Sequence, residues 1–85
     1  MQVIEINVSN KNYQIEWALS EYFDELKGMK FNLNEVSADQ IVLINNLSDT
    51  AKILLSAVAG AVIQHLIDIN VDINSIFSTG YFIVK

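Results

Sequence analysis

The stretch NYQIEWALSEYFDELK, residues 12 to 27, fits two periodicities at once, and the choice between them decides the fold. Tyr13, Ile15, Trp17 and Leu19 alternate with polar or small residues, the mark of a strand with one buried face. Ile15, Leu19, Tyr22, Phe23 and Leu26 also fall at i, i+4, i+7, i+8 and i+11, one stripe of an α-helix. The helical template covers more positions and runs through strong helix formers up to Gly28, a suitable residue just past a helix end. The spacing therefore predicts a helix from about Asn12 to Lys27, while residues 13–19 retain a competing reading as a hairpin arm.

Ahead of this stretch, Ile4, Ile6 and Val8 share one side of an alternating segment, Val3 to Val8, which predicts a strand followed by the turn cluster Ser9–Asn12. Beyond it, Met29, Phe31 and Leu33 alternate with lysine and asparagine, so a half-buried strand is expected between Met29 and Val36. QIVLINN, residues 40 to 46, is a continuous apolar run between polar ends, as expected of a central strand buried on both faces. NLSDTAK then starts a long helix, about 48–68, with Ser48 as N-cap and Asp49 near the positive helix end. Residues 72–79 allow either a hairpin arm closed through Gly80 at positive φ or a short helix capped by Asp72 and ended at Gly80. Both lead into a strand over Tyr81–Val84. The expected fold is α+β: one small two-layer domain, residues 1–85, with an antiparallel or mixed sheet of about three to five strands. The long helix packs across that sheet, with the first helix beside it.

Composition limits what such a domain does. Hydrophobic residues make up 52% of 85 residues and charged residues 18%, an apolar balance that a shared interface would absorb. The net charge is −5, and Lys11, Lys27, Lys30, Lys52 and Lys85 are scattered, with no arginine. Direct nucleic-acid binding needs a basic footprint and is not expected. The absence of cysteine excludes a disulfide framework and any thiolate metal site. MQVIEINV lacks a basic segment followed by a long apolar run, so no secretory signal is expected. The apolar or small run Ile53–Ile63 covers eleven residues before Gln64, short of the about twenty that span a bilayer. A cytoplasmic protein without membrane contact is expected. The lack of proline and the wealth of isoleucine and asparagine resemble AT-rich coding sequence, as in low-GC bacteria or their mobile elements.

The long helix carries apolar residues on two sides. Leu54, Leu55, Val58, Val62, Leu66 and Ile69 share a face broad enough to cover a sheet, while Ile53, Ile63 and Ile67 lie opposite, among Ser56, Ala57, Gly60 and Gln64. Either the first helix covers the second face or another subunit does; Ile53, Ser56, Gly60, Ile63 and Ile67 are the candidate oligomer contact. On the predicted first helix, Tyr13 and Trp17 stand away from the core stripe beside Glu21 and Asp24, a candidate surface for a partner with a basic surface. The competing reading has Trp17 packing under a loop or facing the core, as tryptophan commonly does.

No constellation for catalysis is evident. His65 is the only histidine, and it stands three residues before Asp68, but two ligands do not make a metal site. Ser56 lies on the opposite side of the helix from His65, and the three glycines are isolated, so there is no nucleophile–base pair and no phosphate-cradling loop. DINVDIN, residues 68 to 74, sets Asp68, Asn70 and Asp72 at the spacing that opens a calcium loop. Its sixth position is Ile73 where glycine is needed, and its twelfth is Thr79 where glutamate is needed. It reads instead as a helix exit, with Ile69, Val71 and Ile73 inward. No catalytic residue, metal or cofactor is assigned. The expected function is a non-enzymatic protein-binding module, a homodimeric inhibitor, antagonist or adaptor of phage or mobile-element type. The alternatives are a structural or assembly subunit without a separate target, and an enzyme or metal protein whose site assembles from distant residues.

Overall fold

In a computed structural model that describes residues 2–18, 23–36, 38–44 and 46–85, Ser9 and Asn10 both adopt positive φ, 51° and 66°. A type I′ turn needs positive φ at both central residues, and its twist matches two antiparallel strands. β1 (Gln2–Val8) and β2 (Lys11–Trp17) accordingly form a hairpin, in register from Gln2 opposite Trp17 to Val8 opposite Lys11. The Ser9 N–H donates to Thr79 Oγ1 at 2.9 Å, which anchors the turn. The helix expected over 12–27 is thus corrected: residues 12–17 are strand, and among the described residues helix is found at Phe23–Leu26, α1. Leu19, Ser20, Glu21 and Tyr22 lie outside the described residues. Gly28 does take the expected place past the helix end, at φ 81°, and donates its N–H to Val84 O at 2.7 Å.

With β3 (Lys30–Asn32) and β4 (Tyr81–Val84) the hairpin completes a four-stranded antiparallel sheet of order β2-β1-β4-β3. The strand expected between Met29 and Val36 is only three residues long, because a 3-10 turn at Leu33–Glu35 ends it. The apolar run at 40–46 is not a central strand. Ala38–Val42 form α2, and the N–H groups of Leu43 and Ile44 close the turn onto Gln40 O and Ile41 O, both at 3.1 Å. The two central positions of the sheet belong to β1 and β4, so this segment has no strand to pair with and buries only Ile41 fully among its long aliphatics.

α3 (Asp49–Asp68) is the long helix, and α4 (Ile73–Thr79) follows it. The core lies between α3 and one face of the sheet. Ile4, Ile6, Val8, Phe31, Phe82 and Val84 meet Ala51, Leu55, Val58, Ala59, Val62 and Leu66 there. Of the face expected to cover the sheet, Leu54 is half-buried and Ile69 is exposed, whereas Ala51 and Ala59 join the buried set. Among the described residues α3 is the one helix long and apolar enough to cross a membrane, by length and composition only, and its sheet-facing side packs into the core.

Local hydrogen bonds set both ends of α3. Ser48 Oγ accepts from Ala51 N at 3.1 Å, the N-cap bond that satisfies an otherwise orphan donor. The same serine donates its N–H to Glu25 Oε2 at 3.0 Å and its hydroxyl to Glu25 Oε1 at 2.8 Å. A carboxylate from α1 thus completes the cap that a glutamate in the helix's own first turn would otherwise provide. Backbone and then side-chain hydrogen bonds from Ser48 hold the Glu25 pKa below the ordinary carboxylate range. A folded-state pKa depressed in this way contributes stability above the unfolded-state pKa, and that contribution is lost as pH falls through the folded-state value. Glu25→Gln is therefore expected to lower the urea midpoint at about pH 7, with the difference shrinking as pH falls through the folded-state pKa of Glu25. A midpoint difference that persists at the acid end would contradict the role of the carboxylate charge.

At the other end, Asn70 (φ 64°) donates to Ile67 O at 3.0 Å and Val71 donates to Leu66 O at 2.9 Å. These two bonds make a Schellman exit with asparagine in the left-handed position. Asp72 then caps α4, accepting from Ser75 N at 3.0 Å and Ser75 Oγ at 3.2 Å. DINVDIN is a helix exit joined to a helix entry, and residues 72–79 are the short helix of the two readings. The inward placement of its apolar residues needs correction: Val71 is half-buried against the core, while Ile69 and Ile73 are exposed.

Candidate functional site: an uncovered helix face

The side of α3 that looks away from the sheet mixes isoleucines with small and polar residues. Between Lys52 and Asp68 the helix has no Asp, Glu, Lys or Arg. Ile53 is 72% exposed and Ile67 41%, with Ser56, Ala57 and Gly60 also exposed between them and Ile63 half-buried at the margin. The first helix does not cover this face, since α1 reaches α3 at its N-terminus through Glu25 and Ser48. A Cβ built on Gly60 would meet nothing within 4 Å. All five residues expected at an oligomer contact therefore lie on one uncovered or marginal strip.

Two further residues extend the strip. Val42 and Leu43, at the end of α2, are 66% and 73% exposed. Ile41 and Val42 meet Lys52, Ile53 and Ser56 of α3 around an apolar hollow of about 180 Å³. The sequence contained the signal, an apolar run at 41–44, but it pointed to a buried strand and so concealed a surface patch.

The outer face of the sheet is treated differently. Tyr81 and Ile83 are half-buried there, but Lys30 Nζ sits 4.1 Å from the Tyr81 ring centre and Lys85 pairs with Glu5 at 3.5 Å. Charged groups of this kind blunt a sheet face against association. On the helix side the nearest charge is Lys52, whose Nζ donates to Val42 O at 3.1 Å, and Asp, Glu, Lys and Arg are then absent up to Asp68. Exposed apolar patches of this kind mark protein–protein contacts.

The residues of the other expected surface do not share one helix. Tyr13 and Trp17 lie on β2 opposite Ile6 and Gln2, half-buried and packed against the core. Asp24 is exposed on α1, and Glu21 lies outside the described residues. The helical geometry that grouped these four on one rim does not exist. His65 is half-buried, and its neighbour Asp68 accepts from Gln64 Nε2 at 2.8 Å. Among the described residues, no three His, Asp or Glu side chains cluster to hold a metal. A groove of about 360 Å³ runs between the hairpin turn and the α3–α4 link, with Lys11, Tyr13, Asp72 and Ser75 on its walls. Asp72 is engaged there as a helix cap, accepting from Ser75 N and Ser75 Oγ. No protein-family model matches the chain, and no curated protein or solved structure is detectably similar to it.

Proposed function

We propose that this protein is a non-enzymatic binding module that works as a homodimer and acts as an inhibitor, antagonist or adaptor of the kind mobile elements encode. One observation carries the reading: α3 presents Ile53, Ser56, Gly60 and Ile67 to solvent with no charged residue between Lys52 and Asp68, and Val42 lies beside Ile53, with Lys52 Nζ donating to its carbonyl oxygen at 3.1 Å. A small domain that leaves so much aliphatic surface exposed gains by covering it with protein. The net charge of −5 favours a target with a basic surface, met by the remainder of the molecule. A structural assembly role would use the same helix face without a separate target.

Light scattering after size exclusion tests the shared premise. The wild-type chain is expected at twice its monomer mass at micromolar concentration. Ile53→Asp places a carboxylate at the α2 end of the apolar strip, at a position that is not part of the core, so it should return the monomer mass with unchanged far-UV circular dichroism. A wild-type protein that is monomeric up to about millimolar concentration, a regime in which only contacts weaker than about 4 kcal/mol escape detection, would overturn the homodimer.

A further inference from the structure

The two edges of the sheet are built differently. β3 spans three residues before the 3-10 turn ends it, whereas β2 spans seven in unbroken register with β1. Resting on the binding module with a separate basic target proposed above, we infer that the open edge of β2 takes up an extended segment of that target as a further strand. Its basic side chains would lie beside Glu16 and its apolar ones beside Tyr13, Ile15 and Trp17.

Register fixes which backbone groups face outward. Lys85 donates its N–H to Val3 O at 3.0 Å, so Val3, Glu5 and Asn7 direct their backbone groups to β4. Alternate residues of a central antiparallel strand bond the other neighbour, so Ile4, Ile6 and Val8 bond Ile15, Tyr13 and Lys11. The N–H and C=O groups of Asn12, Gln14 and Glu16 therefore point away from the sheet. Among the described residues no backbone group meets them. A row of donors and acceptors at this spacing is the template for an extended chain. Natural edges are blunted by proline, bulges or lysines. β2 has neither proline nor bulge, and its one lysine, Lys11, bonds inward beside the turn.

Side chains along this edge state the chemistry of the incoming strand. Tyr13 and Ile15 are half-buried on the core side, while their β1 partners Ile6 and Ile4 are fully buried, so the apolar layer thins out at β2. Apolar residues of an added strand complete that layer. At its turn end the layer adjoins the groove of about 360 Å³ lined by Lys11 and Tyr13 with Val8, Ile69 and Val71, which gives room for a large apolar side chain. On the outer face Asn12, Gln14 and Glu16 are exposed. Glu16 stands opposite Val3, and the nearby Glu5 is already paired with Lys85 at 3.5 Å, so a basic residue complements Glu16. A second copy fits the edge less well. It carries the same net charge of −5, and self-pairing at both β2 and α3 would build an open filament instead of a closed dimer.

Trp17 is the only tryptophan, so its emission reports what lies along the edge. The probe is a blocked peptide of alternating lysine and valine, as long as β2. It is expected to shift Trp17 emission in a saturable titration below about millimolar concentration. Gln14→Pro removes an outward N–H and no bond to β1, a position at which an edge strand tolerates proline. It should weaken the peptide at least tenfold with unchanged far-UV circular dichroism. Glu16→Lys tests the charge without touching the backbone: it should weaken the lysine peptide and strengthen its glutamate counterpart, each at least tenfold. A wild type whose emission stays flat to about millimolar peptide overturns the inference. So does a folded Gln14→Pro protein that binds like the wild type, or a Glu16→Lys protein with unchanged preference. A wild-type dimer that Gln14→Pro dissociates would put a second copy on the edge and overturn it too. A chain that binds the peptide but is monomeric by light scattering overturns the homodimer alone.

Discussion

Phe82→Ala is expected to remove about 3–5 kcal/mol of folding stability, the largest loss foreseen for a single substitution in this chain. Phe82 has no exposed surface. It lies on β4, one of the two central strands, between Ile6 of β1 and Phe31 of β3. Its ring centre is 5.4 Å from that of Phe31 at an interplanar angle of 33°, and the pair sits over the α3 side of the sheet. Truncation leaves a hole bounded by two β-ladders and a helix that cannot all move inward together. A domain of 85 residues has a total stability of about 4–13 kcal/mol, so the variant should be largely unfolded or nearly so. Urea unfolding at fixed protein concentration measures the loss, because a dimer makes apparent stability concentration-dependent. A change below about 1.5 kcal/mol would mean that β4 is not the centre of the core.

Gly80→Ala is expected to cost about 2–3 kcal/mol, although the backbone there suits any residue. Gly80 has φ −70° and ψ 137°, so left-handed freedom is not the reason for glycine. Space is. An added Cβ would overlap the Ile76 carbonyl oxygen and lie 2.7 Å from Leu33 Cδ1. Leu33 could rotate, but the carbonyl is held, since it accepts the Gly80 N–H at 2.9 Å in the last turn of α4. Gly80 O in turn accepts from Leu33 N at 2.9 Å, which ties the 3-10 turn to the same point. The substitution must therefore push α4 away from the turn or break one of these bonds. Gly60→Ala is the natural control. It adds a methyl group to open space in a helix interior and should raise monomer stability by up to about 1 kcal/mol. A Gly80→Ala protein that melts with the wild type would show that α4 can shift freely against Leu33.

The candidate surface was partly legible before the fold was known. A helical projection of residues 48–68 separates Ile53, Ser56, Gly60 and Ile67 from the core face, because the period of a helix depends only on local geometry. That projection does not say whether another element covers the strip. Two expectations turned on this point. Residues 12–17 are strand, and among the described residues α1 (Phe23–Leu26) meets α3 at its N-terminus, through Glu25 and Ser48. The apolar run at 41–44 enlarges the strip when it was expected inside the sheet. Tyr13 and Trp17 show the converse, residues placed on a surface by one periodicity and drawn half into the core by another.

What the sequence determined by itself are the features whose hydrogen bonds close within a few residues. Ser48 caps α3 and Asp72 caps α4, each by a bond from a backbone N–H three residues further on. Tertiary structure alone decided the rest. Ile15 and Leu19, four residues apart, share a face in both a helix and a strand, so only the ladder between β2 and β1 could distinguish the two. QIVLINN could be a strand only if the sheet had a central place for it, and β1 and β4 hold both. Gly80 is small because Leu33 and Ile76 converge on it from opposite sides in sequence. Pairing, occupancy and close approach are properties of residues far apart in the chain, and no local pattern carries them.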